Sequence, residues 1–460
     1  MKRTIKLAVV AAMALGTTSA FATNGDVMIG QGAKSRSMGG VGIAKSFGAE
    51  SALANPAMIT ATESMEMTIA ATVFMPSVSY GSNAQSTAGA AFVGAGTQQI
   101  NMADSASDLS VIPEIYFAQR INESWTYGIA IAGTAGMGVD YSGTDFGMPT
   151  DNGSFQMKTA LQLLKVAIPV SYEIAGVTLG VAPVLQYGTL EMSHQFNNNP
   201  ANPSSFALHE SPKSSDTSIG FEAGAAYNAK EIGLTVGAVY KSKLAMEYKD
   251  TISASMAKFG VTSVTSGDKL DQPAEFGVGI SYDVMNSGHT IAFDYKNIAW
   301  GDAAGYKEFG WENQNVFALG YEFAAKTWAL RAGYNYAKNP IKELDGSKSV
   351  TPTGITNYEN AAVNFFNMAG FPGIVEQHFT LGGGYAFTEK FSMDAAVIYA
   401  PEVSASYDTS AMTEAFVYQG AIASGMTPAQ AGGAAAGAGT SSADVTHSQM
   451  GITVAATFKF

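Results

Sequence analysis

The chain has 460 residues, 47% of them hydrophobic and 14% charged, with 50 glycines, no cysteine and a formal net charge of −13. No stretch approaches 18 uninterrupted apolar residues, which excludes membrane-spanning helices, and the missing cysteines exclude disulfides, thiolate metal sites and thiol nucleophiles. The acidic balance excludes nucleic acid as a partner, because phosphate neutralisation needs clustered Lys and Arg. An all-β chain remains, either a soluble sandwich or a transmembrane barrel whose hydrophobicity is spread through alternation.

Residues 1–22 read as a secretory signal. Lys2, Arg3 and Lys6 precede the short apolar run 7–15, and Ala20-Phe21-Ala22 is a small-x-small site with cleavage expected after Ala22. Nine apolar residues are too few to cross a bilayer. Residues 23–62 follow, rich in glycine and without alternation. Such a segment is either a free linker or a plug inside the lumen of a barrel.

From residue 63 onward, period-2 alternation predicts strands at 63–75, 109–119, 125–138, 156–172, 177–190, 217–227 and 232–246. It predicts seven more at 275–284, 289–300, 314–323, 327–337, 377–387, 391–401 and 448–460. In the last strand Ile452, Val454, Phe458 and Phe460 oppose Gly451, Thr453, Thr457 and Lys459, so one face is apolar and the other small or polar. A sandwich also alternates, and the connections decide between the two. They alternate long and short from the first to the last, the short ones three to five residues and the long ones thirteen or more. Even strand number, tight turns at one end and long loops at the other define an outer-membrane barrel. The expected fold is therefore an all-β, 14-stranded antiparallel transmembrane barrel over 63–460, with both termini in the periplasm. Trp125, Tyr127, Tyr172, Tyr227, Tyr282, Trp328 and Tyr399 lie near strand ends, as interfacial girdles would.

The sequence of the plug segment is more specific. NGDVMIGQGAKSRSMGGVGIA followed by SALANPA resembles the N-terminal hatch of FadL-type outer-membrane transporters for long-chain fatty acids and hydrocarbons. The matching residues are Asn24-Gly25, Gly39-Gly40 and Asn55-Pro56-Ala57; PAEFGVGISYDV with FDYKNIAWGD resembles the hairpin of strands eight and nine of that family. The resemblance implies a hatch plugging a 14-stranded barrel. It also implies an inward kink in strand three, here IAIAGTAGMGVDY, for which Gly133, Gly136 and Gly138 are the candidates. Fatty-acid members carry basic residues near the outer end of strand five, whereas VLQYGTLEM (184–192) has none, and this favours neutral hydrocarbons or mixed lipids over a carboxylate. Phe460 resembles the C-terminal signal read by barrel assembly machinery.

No enzyme signature is present. There is no G-x-S-x-G, and His209-Glu210 lacks the second histidine of a zinc-protease helix. Three of the five histidines fall in predicted loops and two at strand starts, which reads as scattered surface positions with no metal site. Lys165, Lys241, Asp294, Lys296 and Arg331 are predicted to point into the barrel, where charges must be paired or hydrated. They are expected to form lumen salt bridges or hatch contacts, with orientation of a ligand head group as the second reading. The sequence thus predicts a monomeric, cofactor-free passive transporter of hydrophobic small molecules, embedded in outer-membrane lipid. A general diffusion porin and a barrel-anchored adhesin are the rival readings.

Overall fold

A computed structural model describes residues 23–460 apart from 62–63, 84–98, 145–155, 198–205, 212, 286 and 352–353. The expected signal segment 1–22, with the cleavage expected after Ala22, lies outside the described residues. Fourteen antiparallel strands form the wall. They are β1 (Met65–Asn83), β2 (Ser110–Arg120), β3 (Trp125–Asp140), β4 (Met157–Ala167, resuming as Val170–Ile174), β5 (Val177–Asn197), β6 (Ser214–Ala229) and β7 (Leu234–Lys241). The second half comprises β8 (Glu275–Val284), β9 (His289–Ile298), β10 (Gln314–Ala324), β11 (Trp328–Ala337), β12 (Gln377–Thr388), β13 (Phe391–Asp408) and β14 (Ser442–Lys459). Each pairs with the next, and β14 closes on β1 from Asp444 opposite Gly81 to Lys459 opposite Glu66. Because the ring closes, no strand is left at an edge, although the pairing of β3 with β2 lapses beyond Ala132.

The alternation sets which face meets lipid. On β14, Thr453, Ala455 and Thr457 are buried while Ile452, Val454 and Phe458 are exposed. On β1, Thr68 and Thr72 point inward and Ile69 and Val73 outward. Among the predicted aromatic girdle, Trp125, Tyr227, Tyr282 and Trp328 are exposed beside the short turns. The strands run longer than periodicity predicts where hairpins continue past the membrane: β5 reaches Asn197, β13 Asp408, and β14 begins at Ser442. Two end early. The segment after Lys241 leaves the wall and returns only through isolated bridges such as Leu244–Gln272, and β9 ends at Ile298 before a 3₁₀ turn at Trp300–Asp302. Pro169, which cannot donate to a ladder, marks the break in β4.

Among the described residues, the long connections carry four helices: α2 (Ile252–Lys258), α3 (Tyr358–Gly370), α4 (Ser410–Ala423) and α5 (Pro428–Ala436). A capping box of Thr427 and Gln430, with Pro428 in the first turn, starts α5. The consecutive buried run Ala361–Gly370 shows that α3 is pressed into the mouth of the barrel.

Residues 23–61 occupy the lumen and are almost wholly buried. They form a two-residue ladder, Thr23–Asn24 against Val27–Met28, then α1 (Gly32–Ser37) and two 3₁₀ turns, Gly48–Leu53 and Pro56–Ala61. Glycines of the wall make this possible. The hatch backbone lies so close that a Cβ at Gly333 would collide with the Gly39 amide nitrogen, and one at Gly237 with the Ile43 carbonyl oxygen. Gly39 itself has φ +71°, a conformation that favours glycine.

Candidate functional site: the hatch, an apolar pocket and a break in the wall

The hatch body is fixed by charge. Buried Arg36 pairs with Glu114 of β2 and donates to Thr72 Oγ1 at 2.8 Å. Lys34 Nζ lies 3.1 Å from Glu50 and 3.8 Å from Asp394; Lys45 Nζ lies 3.1 Å from Glu322. Backbone groups dock as well. Gly42 and Ile43 N–H donate to Asp294 Oδ2 at 2.7 and 2.9 Å, Gly39 N–H to Thr380, and Asn335 Nδ2 to the Gly39 carbonyl at 3.0 Å. Asn55 Nδ2 donates to the Ile43 carbonyl at 2.7 Å while its Oδ1 accepts the Ala57 amide. The Pro56 carbonyl accepts Ser171 Oγ–H.

The inward cations named from the sequence fall into this network. Arg331 bridges Glu322 and Asp394 at 2.6 and 2.7 Å, the same carboxylates that hold Lys45 and Lys34. Lys165 pairs with Glu222 at 3.1 Å and Lys241 with Glu275 at 3.4 Å. Lys296 faces Glu275, Lys241 and Asp294. Gln31, Thr134, Lys165, Gln186, Lys241 and Glu275 line a polar space between hatch and wall of about 470 Å³. Asp294 makes the hatch contact expected of it, whereas the hatch cations and the other wall carboxylates escaped the sequence reading. Their signal was present: Lys34, Arg36 and Lys45 sit in an otherwise nearly uncharged segment, and Glu66, Glu114, Glu222, Glu322 and Asp394 occupy inward-facing strand positions.

Above the hatch tip lies an apolar pocket of about 360 Å³, counting its open mouth. Met137 of β3 and Leu190 and Met192 of β5 form one side, and Tyr306, Phe309, Trp311 and Phe371 the other. No cation lines it among the described residues. Trp300, Tyr306 and Trp311 pack together with ring centroids 4.6 to 5.1 Å apart. Their polar atoms are taken up by protein: Trp300 Nε1–H donates to Gln314, Trp311 Nε1–H to Asn367, and the Tyr306 hydroxyl to Asp26. The tip of the hatch touches this cluster, since a Cβ on Gly25 (φ +68°) would lie 2.8 Å from Trp300 and 2.9 Å from Trp311.

Strand β3 departs from the wall. Its pairing with β2 ends at Glu114 opposite Ala132. Against β4 the register slips between Gly133, opposite Leu164, and Ala135, opposite Leu163, so Thr134 is a bulged extra residue. Beyond the bulge the free edge of β3 takes the hatch as its partner: Ala135 pairs with Val27, and Gly136 N–H donates to the Asp26 carbonyl at 3.0 Å. Gly133, Gly136 and Gly138 therefore surround the irregularity, although the extra residue itself is the threonine between them.

Histidines are not scattered over the surface as the sequence reading has it. His194, His378 and His447 are buried, because loops and α3 fold down over the strand ends. His194 and His209 stand directly opposite on paired strands, and Gln449 joins His378 at 3.3 Å and His447 at 3.1 Å while accepting the Thr23 amide at 3.2 Å.

A plugged, lipid-facing barrel with an internal apolar pocket is an outer-membrane conduit for hydrophobic molecules. The chain belongs to the family described as outer membrane protein transport protein (OMPP1/FadL/TodX), whose sequence model matches residues 8–358. Solved structures agree on the fold. A Pseudomonas aeruginosa FadL homologue is similar at TM-score 0.64 and 15% identity, over 95% of this chain and 100% of that one. The Pseudomonas putida toluene transporter TodX is similar at 0.63 and 17%, over 95% and 100%. The Ralstonia pickettii toluene transporter TbuX follows at 0.57 and 18%, over 94% and 99%. No curated protein matches the sequence. The family is one of transport channels, not enzymes.

Proposed function

We propose that this transporter takes up neutral or weakly polar hydrophobic molecules and releases them sideways through the break beside β3. The observation that carries the reading is the edge of β3 that β2 leaves unpaired beyond Ala132 and that hatch residues Asp26–Val27 cover at Ala135 and Gly136. Long loops with exposed apolar groups such as Ile422 and Met426 on the α4–α5 hairpin would capture the ligand. The apolar pocket would hold it, and withdrawal of the hatch leg would open the way to the bulge. Lateral exit suits apolar cargo, which saves about 0.8 kcal/mol per CH₂ by staying out of water. Leu190 and Met192 stand on the strand-five stretch where fatty-acid members carry cations, which supports a neutral cargo. We further infer that the short turns and both termini face the periplasm, that the barrel works as a monomer, and that Phe460, whose N–H bonds Met65 in closing the barrel, is what the assembly machinery reads.

The test is uptake of labelled hexadecane and hexadecanoic acid by cells carrying Gly133→Val or Gly136→Val. Both substitutions should slow uptake while the amount of folded barrel in the outer membrane is unchanged. Wild-type rates in both variants would remove the lateral route, and uptake of the acid alone by the unmodified protein would refute the neutral cargo. An epitope inserted at Gly425, where the chain has open space around it, should be accessible on intact cells; Asn286, on the opposite side in this topology, lies outside the described residues.

A further inference from the structure

Asp26 has no counterpart elsewhere in the hatch. It is fully buried, and among the described residues no cation pairs with it. Its Oδ2 accepts the Tyr306 hydroxyl and Gln272 Nε2–H at 3.1 Å, and its Oδ1 has no partner among the described residues. The Asp26 backbone carbonyl is the group that receives Gly136 N–H from the freed edge of β3. Tyr306, in turn, lines the apolar pocket and packs at an angle against Trp300 and edge-on against Trp311. One side chain thus both lines the pocket and touches the residue whose backbone meets the freed edge of β3.

We propose that Tyr306 and Asp26 form the trigger of the gate: a ligand that displaces the Tyr306 ring withdraws its hydroxyl from Asp26, and the stranded carboxylate drives residues 23–28 out of their seat. This rests on the reading that the hatch leg closes a lateral exit. The physical cause is the asymmetry of buried hydrogen bonds. A buried ionised group that loses a donor carries the full desolvation penalty, which shifts an equilibrium by about 10- to 100-fold. Neutral Gln272 is the remaining donor to that carboxylate. The titratable groups facing Asp26 are Tyr306 and Tyr248 from the outer loops and Glu275 at the start of β8, so nothing nearby replaces the lost donor with positive charge. Tyr306 and Asp26 are positioning residues, acting on the leg without conveying the ligand themselves.

Burial pushes the Asp26 carboxyl up to about 6. A carboxyl that holds its proton more tightly when seated than when exposed favours the seated leg in acid, and that advantage is lost as pH rises through about 6. Spontaneous release should therefore increase between pH 5 and 7.

The chain contains no cysteine, so Asn24→Cys places a single thiol on the buried leg, and maleimide labelling reads its release. In this background the full-length barrel should label slowly, faster with toluene, and faster as pH rises from 5 to 7. Adding Tyr306→Phe keeps the ring and removes the donor; labelling without toluene should rise at least about 10-fold, while toluene still quenches the buried tryptophans. Adding Asp26→Asn removes the charge; labelling should stay slow at every pH, with the toluene response reduced. If toluene speeds labelling but Tyr306→Phe labels as slowly as its parent, the trigger is wrong and the gate stands. If toluene leaves labelling of the parent unchanged, the gate falls and the trigger with it.

Discussion

The two ends of the hatch are held by different chemistry. From Gly32 to Ala61 the segment carries Lys34, Arg36 and Lys45, each paired with carboxylates, several of them on distant strands. From Thr23 to Gln31 it carries one charged side chain, Asp26, met only by neutral donors among the described residues. Removing one partner of a buried ion pair costs about 3–5 kcal/mol, whereas a hydrogen bond from a neutral donor to a charged group contributes about 1.5–3 kcal/mol. On the gate proposed above, the difference makes the body the fixed plug and the leg the latch, though both lie in one continuous buried chain.

The contrast can be broken at its strong end first. Arg36→Met leaves Glu114 buried without its cation and should destabilise docking of the body by about 3–5 kcal/mol, read as steady ion conductance in planar bilayers from a barrel that still resists heat in detergent. A silent channel would mean that charge does not seat the plug. Arg331→Met should cost less, because Glu322 retains Lys45 at 3.1 Å and Asp394 retains Lys34 at 3.8 Å; brief openings, not a steady leak, are expected in the same recording. Asn55→Ala removes the amide that ties the 3₁₀ turns to Ile43 and should cost about 1–3 kcal/mol, seen as faster proteolysis within residues 44–61. The smallest effect is expected at the latch. Gln449→Leu deletes the acceptor of the Thr23 amide and should cost about 1 kcal/mol, raising labelling of Asn24→Cys a few-fold with conductance unchanged. Equal conductance from Gln449→Leu and Arg36→Met would erase the distinction between plug and latch.

The wall was legible because alternation is local: every strand from Met65 to Lys459 announces its apolar face within its own few residues. The inward positions of Lys165, Lys241 and Arg331 follow from the same count. Their partners do not, since Arg331 meets Asp394 only through the register of β11, β12 and β13. Thr134 as the bulged residue was equally hidden, since glycines on either side advertise a bend without stating which residue is extra. The buried histidines were missed because their burial comes from α3 and the long loops, whose paths no periodicity encodes. Asp26 looked like any acidic residue in a glycine-rich stretch; its isolation from cations exists only once Gln272 and Tyr306, some 250 residues away, close around it.

The glycine-lined seat of the hatch also orders events in time. Gly39 docks on Thr380, 341 residues further along the chain, and Gly42 on Asp294, 252 residues away. Neither acceptor stands in place until most of the wall has paired, and a contact of such separation carries a large closure entropy until intervening strands have shortened the path. The hatch is thus expected to find its place only after the strands that receive it have paired. A cylinder caught before that step would be complete, watertight to nothing, and finished only when its first residues turn back to fill it.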